Sequence, residues 1–100
     1  ERKLKNGNFE IDAKIDLHGL RVIEAEKLLY SFLLNQYSKN NRNILVVSGK
    51  GLMGKGVIRS NIRNWFKGEV LSKIIYVFNS AAPKDGGEGA FYVKLRKNKN

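Results

Sequence analysis

Residues 44–67 read ILVVSGKGLMGKGVIRSNIRNWFK, and this stretch decides the fold. Ile44-Leu45-Val46-Val47 is an unbroken apolar run of the kind a central strand makes. Ser48 to Gly56 follows with four glycines in nine residues, too many for a helix or a strand. From Val57 to Lys67 the period changes to that of a helix, with Ile58, Ile62, Trp65 and Phe66 on one face and Gly68 as its natural stop. Strand, glycine loop and helix in succession are the opening of a βαβ unit.

Working outward, the same alternation recurs on both sides. Ala13 to Leu17 alternates apolar and polar residues, which predicts a strand with one buried face, stopped by His18-Gly19. Arg21 to Ser38 carries Ala25, Leu28, Leu29, Phe32 and Leu33 on one helical stripe, with Glu24 and Glu26 near the positive end of its dipole. Ile74 to Phe78 reads as a further central strand. Ala81 to Gly89 is a loop, and Ala90 to Arg96 alternates again, with Phe91, Val93 and Leu95 facing in. The order is β-α-β-α-β-β, an α/β chain. The alternation of the first and last strands in sequence predicts a two-layer sandwich, a mixed four-stranded sheet with both helices on one face and the other face open to water. Lys14, Asp16, Tyr92, Lys94 and Arg96 would share that open face. Residues 1–10 read as a flexible basic arm, 11–97 as one domain and 98–100 as a tail.

Composition narrows the function. The 100 residues carry 19 Lys+Arg against 9 Asp+Glu, a formal net charge of +10, with one His and no Cys. The absence of cysteine excludes disulfides, thiol nucleophiles and cysteine metal sites, and suits a cytoplasmic setting. No apolar run approaches the ~18 residues a membrane span needs. Neither predicted helix is both strongly basic and rich in exposed apolar residues, so a membrane-surface partner is not expected. The excess of positive charge favours a polyanion, either nucleic acid or anionic lipid; with the membrane surface not expected, nucleic acid is the expected partner.

In open α/β sheets, ligands bind beyond the carboxyl ends of the parallel strands. Three such ends, 16–19, 48–56 and 81–89, hold the only histidine and most of the glycines. Asp16 and His18 stand two apart at a strand end and would project together, a carboxylate beside a group that moves protons near neutral pH. The same pair also reads as a helix-capping histidine beside a loop-bonded aspartate. Gly49 to Gly54 matches G-x-G-x-x-G and Gly49 to Lys55 matches G-x-x-x-x-G-K. The second pattern continues with Gly56 where a P-loop needs Ser or Thr, and the chain lacks the strands of either nucleotide fold, so no nucleotide cofactor is expected. What remains is a helix N-terminus with Gly49, Lys50 and Gly51 suited to a phosphate, or a bare connection. Lys55, Arg59 and Arg63 form an i, i+4, i+8 basic stripe that would continue a phosphate track, or be only a solvated face. Tyr92 could stack a base or pack across strands. Gly86 and Gly87 would let the third loop approach a substrate closely, or belong to a mobile surface turn. One histidine and scattered acids do not compose a metal site.

Ile15-Asp16-Leu17-His18-Gly19 resembles the Leu-Asp-Leu-His-Gly motif of the Smr (small MutS-related) domain. Ser48-Gly49-Lys50-Gly51 is similar to that family's Thr/His-Gly-x-Gly, and Asp85-Gly86-Gly87-Glu88-Gly89-Ala90 to its His-Gly-Gly-x-Gly-Ala before the last strand. Three motifs in order, over about residues 11–97, are more specific than any one. The resemblance implies a sandwich like the C-terminal domain of translation initiation factor three. It implies nucleic-acid binding with endonuclease activity on DNA or RNA, or a non-catalytic module that binds DNA, RNA or the ribosome. It also implies Asp16 and His18 as catalytic residues and Gly49 to Gly51 as phosphate contacts. It leaves a divalent cation, Mg²⁺ or Mn²⁺, as an option. The chain departs from the pattern at Asp85, where many members carry His, and at an insertion over 52–55.

Overall fold

The computed structural model describes residues 9–50 and 57–99. The polypeptide runs β1 (Ala13–Asp16), α1 (Val22–Ser38), β2 (Asn43–Val47), α2 (Val57–Lys67), β3 (Ile75–Ser80) and β4 (Ala90–Leu95). Short 3-10 turns occupy Leu71–Lys73, Pro83–Asp85 and Gly87–Gly89. The predicted order of strands and helices holds, and α2 has the predicted bounds. β3 starts one residue late and continues to Ser80, because Ile74 closes the preceding turn with its N–H on the Leu71 carbonyl. Among the described residues no helix is long and apolar enough to cross a membrane.

The four strands form one sheet in the order β1-β2-β4-β3, so β3, expected as a central strand, stands at the edge, and the last strand in sequence, β4, is central. β1 lies parallel to β2, and β4 is antiparallel to both β2 and β3. β1, β2 and β3 therefore all point the same way, and their carboxyl ends share one edge with the start of β4. Asp12 pins the opposite edge, its carboxylate accepting the Arg42 and Asn43 amides at 3.1 and 2.9 Å.

The main core lies between the sheet and the helices. Ala25, Leu29 and Leu33 of α1 and Ile62, Trp65 and Phe66 of α2 pack with Ile15, Val46, Phe91 and Val93 of the sheet. Trp65 and Phe66 are core, as their period predicts. Leu28 is not: it is 51% exposed. The buried line of α1 runs Ala25-Leu29-Leu33-Gln36, and Leu28 sits about 100° away from it. At the start of α1 the Glu24 carboxylate accepts the Arg21 N–H at 3.1 Å, satisfying one of the amides a helix start leaves over.

The far face of the sheet departs from expectation. It is not open across its width, because Phe9, Leu45, Ala81, Ala90 and Tyr92 form a second apolar cluster there. Phe9 belongs to the segment expected to be a flexible arm, yet it is buried and lies 4.6 Å from the Tyr92 ring, centroid to centroid. Residues 1–8 of that arm lie outside the described residues. The tail is also held at its start. Asn98 donates its backbone N–H to Asn40 Oδ1 at 3.0 Å, and Asn40 Nδ2 donates to the Asn98 carbonyl at 3.0 Å.

Candidate nucleic-acid active site

The site is built where β1, β2 and β3 end. Leu17 is fully buried and its N–H donates to the Val47 carbonyl at 2.7 Å, which carries the β1–β2 pairing one residue past the strand. That anchor fixes the next residue, His18, at the rim. Gly19 then reverses the chain at φ +81°, a left-handed conformation suited to glycine, and leads into α1.

Asp16 and His18 do project together. Asp16 Oδ1 lies 2.7 Å from His18 Nδ1 and also accepts the His18 backbone N–H at 3.1 Å. The hydrogen bond from His18 lowers the Asp16 pKa, burial opposing and Lys14 assisting weakly. A carboxylate in that state can only accept, so Nδ1 carries the proton and Nε2 is the nitrogen presented to a substrate. The imidazole is 70% exposed, a position that suits a reactive group better than a core histidine.

The second loop comes into contact with the first. Gly49 has φ +76°, and a Cβ there would stand 3.1 Å from His18 Cβ. The third loop closes on the second. The Gly89 carbonyl accepts the Ser48 and Gly49 amides at 2.8 and 2.9 Å, and a Cβ on Gly89 would lie 3.4 Å from Gly49 and Lys50. This revises the expected part of Gly49: its N–H is engaged by Gly89, and its role is to let the backbone pass against His18. Gly86 (φ +117°) and Gly87 (φ +53°) likewise send their amides to the Pro83 and Ala82 carbonyls. They shape the loop instead of offering those amides to an anion. Gly51 and Lys55 lie outside the described residues, as does the 52–55 insertion.

Cations surround this rim. Lys14 and Lys50 are exposed. Arg59 is half-buried: its Nη2 donates to Ser80 Oγ at 2.7 Å, and its guanidinium carbon lies 4.1 Å from the Phe91 ring centroid. Arg63 approaches the same ring at 5.3 Å and is exposed. Burial lowers the Arg59 pKa first and Arg63 second, with Glu88 opposing. Two guanidiniums over one ring leave positive charge that an anion would relieve.

Tyr92, Lys94 and Arg96 do not join the cluster. Tyr92 is fully buried, so it packs across strands and stacks no base; Phe9 covers its ring and its hydroxyl donates to Asp85 Oδ2 at 2.5 Å. Lys94 pairs in register with Asn43 and Val77 toward the opposite end of the sheet. At about 3.4 Å per residue it stands roughly 14 Å up β4 from Ala90. Arg96 lies beyond it. Asp85, the departure from the motif, clamps its loop: the Tyr92 hydroxyl and then Lys84 hold its carboxyl below the ordinary range. Among the described residues no three His, Asp or Glu side chains stand together as a metal ion would require, and no step is assigned to one.

Comparison with known proteins agrees with the fold. The Smr domain family profile matches residues 15–96. The chain is 32% identical over 100 residues to a protein of Escherichia coli K12 named probable DNA endonuclease SmrA, covering 95% of this chain and 51% of that relative. It thus spans about half of that relative's length. Among solved structures, YdaL, a stand-alone small MutS-related protein from E. coli, superposes with a TM-score of 0.81 at 31% identity, covering 96% of this chain and 73% of that one. The Smr domain of Thermus thermophilus MutS2 superposes with a TM-score of 0.74 at 30% identity, covering 84% and 98%.

Proposed function

The chain belongs to the Smr domain family, and from that premise we propose that it binds nucleic acid and cuts its phosphodiester backbone, with His18 as the proton-transfer group and Asp16 as its orienting partner. One observation carries the reading. The Asp16 Oδ1–His18 Nδ1 contact of 2.7 Å holds an exposed imidazole, Nε2 outward, at the edge where three strand ends and several cations meet.

Each group has a task on a phosphodiester. Lys50 and Lys14 neutralise the backbone beside His18, and Arg59 with Arg63 takes a neighbouring phosphate. On RNA, Nε2 removes the 2′-hydroxyl proton and the 2′ oxygen attacks phosphorus. The P–O5′ bond breaks and the departing oxygen takes up a proton, returned by the His18 imidazolium directly or through water, leaving a 2′,3′-cyclic phosphate and a 5′-hydroxyl. Asp16 stabilises the imidazolium that forms, much as a carboxylate does behind a catalytic histidine elsewhere. DNA has no 2′-hydroxyl, so cutting it requires an activated water in the same place. The observed groups meet the demands of RNA without addition.

The alternative is a domain that binds DNA, RNA or the ribosome without cutting. It is favoured by Asp85, which departs from the family motif quoted above and is occupied with Tyr92 and Lys84. His18→Ala separates the two readings. The variant should lose cleavage by roughly 10²–10⁴-fold, the usual contribution of a general base, and keep its affinity. Wild-type protein that retains oligonucleotides at low salt and never cuts them would support the binding module.

A further inference from the structure

The basic stripe of α2 does not stop at Arg63. Lys67 is the next i+4 position, so Arg59, Arg63 and Lys67 follow one line for about 12 Å along the helix. The line starts at Ser80, at the catalytic edge, and ends at a groove of about 340 Å³ beside the exposed edge of β3. Lys67 and Arg96 both line that groove, and both are exposed. Phe66, Ile75 and Phe78 line its apolar part.

Tyr76 lines it as well, and the sheet presents that ring in an unusual way. Ile75 pairs with Leu95 and Val77 with Lys94, so β3 has one more residue here than β4. Tyr76 is the extra residue. A bulge of this kind re-aims a side chain that regular pairing would place on a sheet face. Ile75 and Phe78 enter the main core and Val77 the far cluster, whereas Tyr76 remains 54% exposed. An exposed aromatic ring that shares a groove with two cations, at the end of a cationic line, matches how proteins hold unpaired bases: the ring stacks a base while the cations take the phosphates.

We infer that the Tyr76 groove is a second nucleic-acid subsite, which stacks an unpaired base of a single strand whose backbone follows Arg59, Arg63 and Lys67 from the cutting site. The inference rests on the nucleic-acid reading above and adds a substrate class to it: strands with an unpaired segment, RNA or DNA, in preference to closed duplex. Bases inside a duplex are stacked on each other and offer no face to Tyr76.

The test is anisotropy binding of labelled single-stranded RNA, single-stranded DNA and a blunt duplex to the full chain and to Tyr76→Ala, Tyr76→Phe and Arg63→Ala. Tyr76→Ala should weaken single-strand binding roughly 5- to 150-fold, the range of one base–aromatic stack. Tyr76→Phe should bind as wild type, and the duplex should bind wild type, Tyr76→Ala and Tyr76→Phe alike. Weakening on only one polymer would assign the subsite to that polymer. Unchanged single-strand affinity in Tyr76→Ala, with Arg63→Ala still weakened, would overturn the subsite and leave the nucleic-acid reading standing. Equal weakening on single strand and duplex would overturn it too. Wild-type protein that binds none of the probes would overturn both.

Discussion

His18 owes its position to two neighbours of opposite kind, a carboxylate that bonds its ring and a glycine that leaves room for it. Gly49 is the more sensitive of the two to substitution. A methyl group at that position would stand 3.1 Å from His18 Cβ on a backbone at φ +76°. Gly49→Ala should therefore cost about 1–2 kcal/mol of stability from the left-handed backbone, and should lower cleavage further by displacing the imidazole. Thermal unfolding beside a cleavage rate measured well below the melting temperature checks both parts. The pairing of Asp16 with His18 was legible from an i, i+2 spacing at a strand end. The engagement of the Gly49 amide by Gly89 was not, because the partner lies forty residues away in a loop without periodicity.

At the scale of elements, the loop between β3 and β4 is held to the sheet by Tyr92 and Asp85. The bond lowers the Asp85 pKa, whereas Tyr92 is raised by burial first and by the same bond second. The signs follow. Asp85 contributes stability that is present above its unfolded value of about 3.9 and is lost as pH falls through its lower folded value. Tyr92 contributes stability that is present below about 10 and is lost as pH rises through its raised folded value. Tyr92→Phe keeps the ring against Phe9 and removes the hydroxyl bond to a charged partner, so it should cost about 1.5–3 kcal/mol near neutral pH. Its melting temperature should approach that of wild type as pH falls below the ordinary carboxylate range and Asp85 takes up its proton. A constant difference across pH 2–7 would show that the bond does not hold the loop. The alternation of β4 was legible, and so was Tyr92's place on the far face. That the face would be covered was not, since Phe9 sits in a polar stretch that gives no sign of packing anywhere.

Over the whole molecule, the parallel directions of β1, β2 and β3 bring the cations of several segments to one edge. Lys14, Lys50, Arg59 and Arg63 come from β1, the second loop and α2. If these four, with Lys67 and Arg96 of the Tyr76 groove, each neutralise one phosphate, log affinity for a single strand should fall with log salt at a slope of about −4, and Arg63→Ala should flatten it by about 0.7. The element order makes the shared edge legible in the sequence, because strands alternating with helices run parallel and end together. The order β1-β2-β4-β3 and the bulge at Tyr76 are set by pairing between distant segments, which periodicity does not record. The most direct measurement is cleavage of end-labelled single- and double-stranded RNA and DNA by wild type and by an Asp16→Ala, His18→Ala double variant, with EDTA and with Mg²⁺ or Mn²⁺. New ends from wild type alone are the predicted result. Equal cutting by the double variant, or none by wild type on any probe it binds, would contradict a nuclease centred on Asp16 and His18.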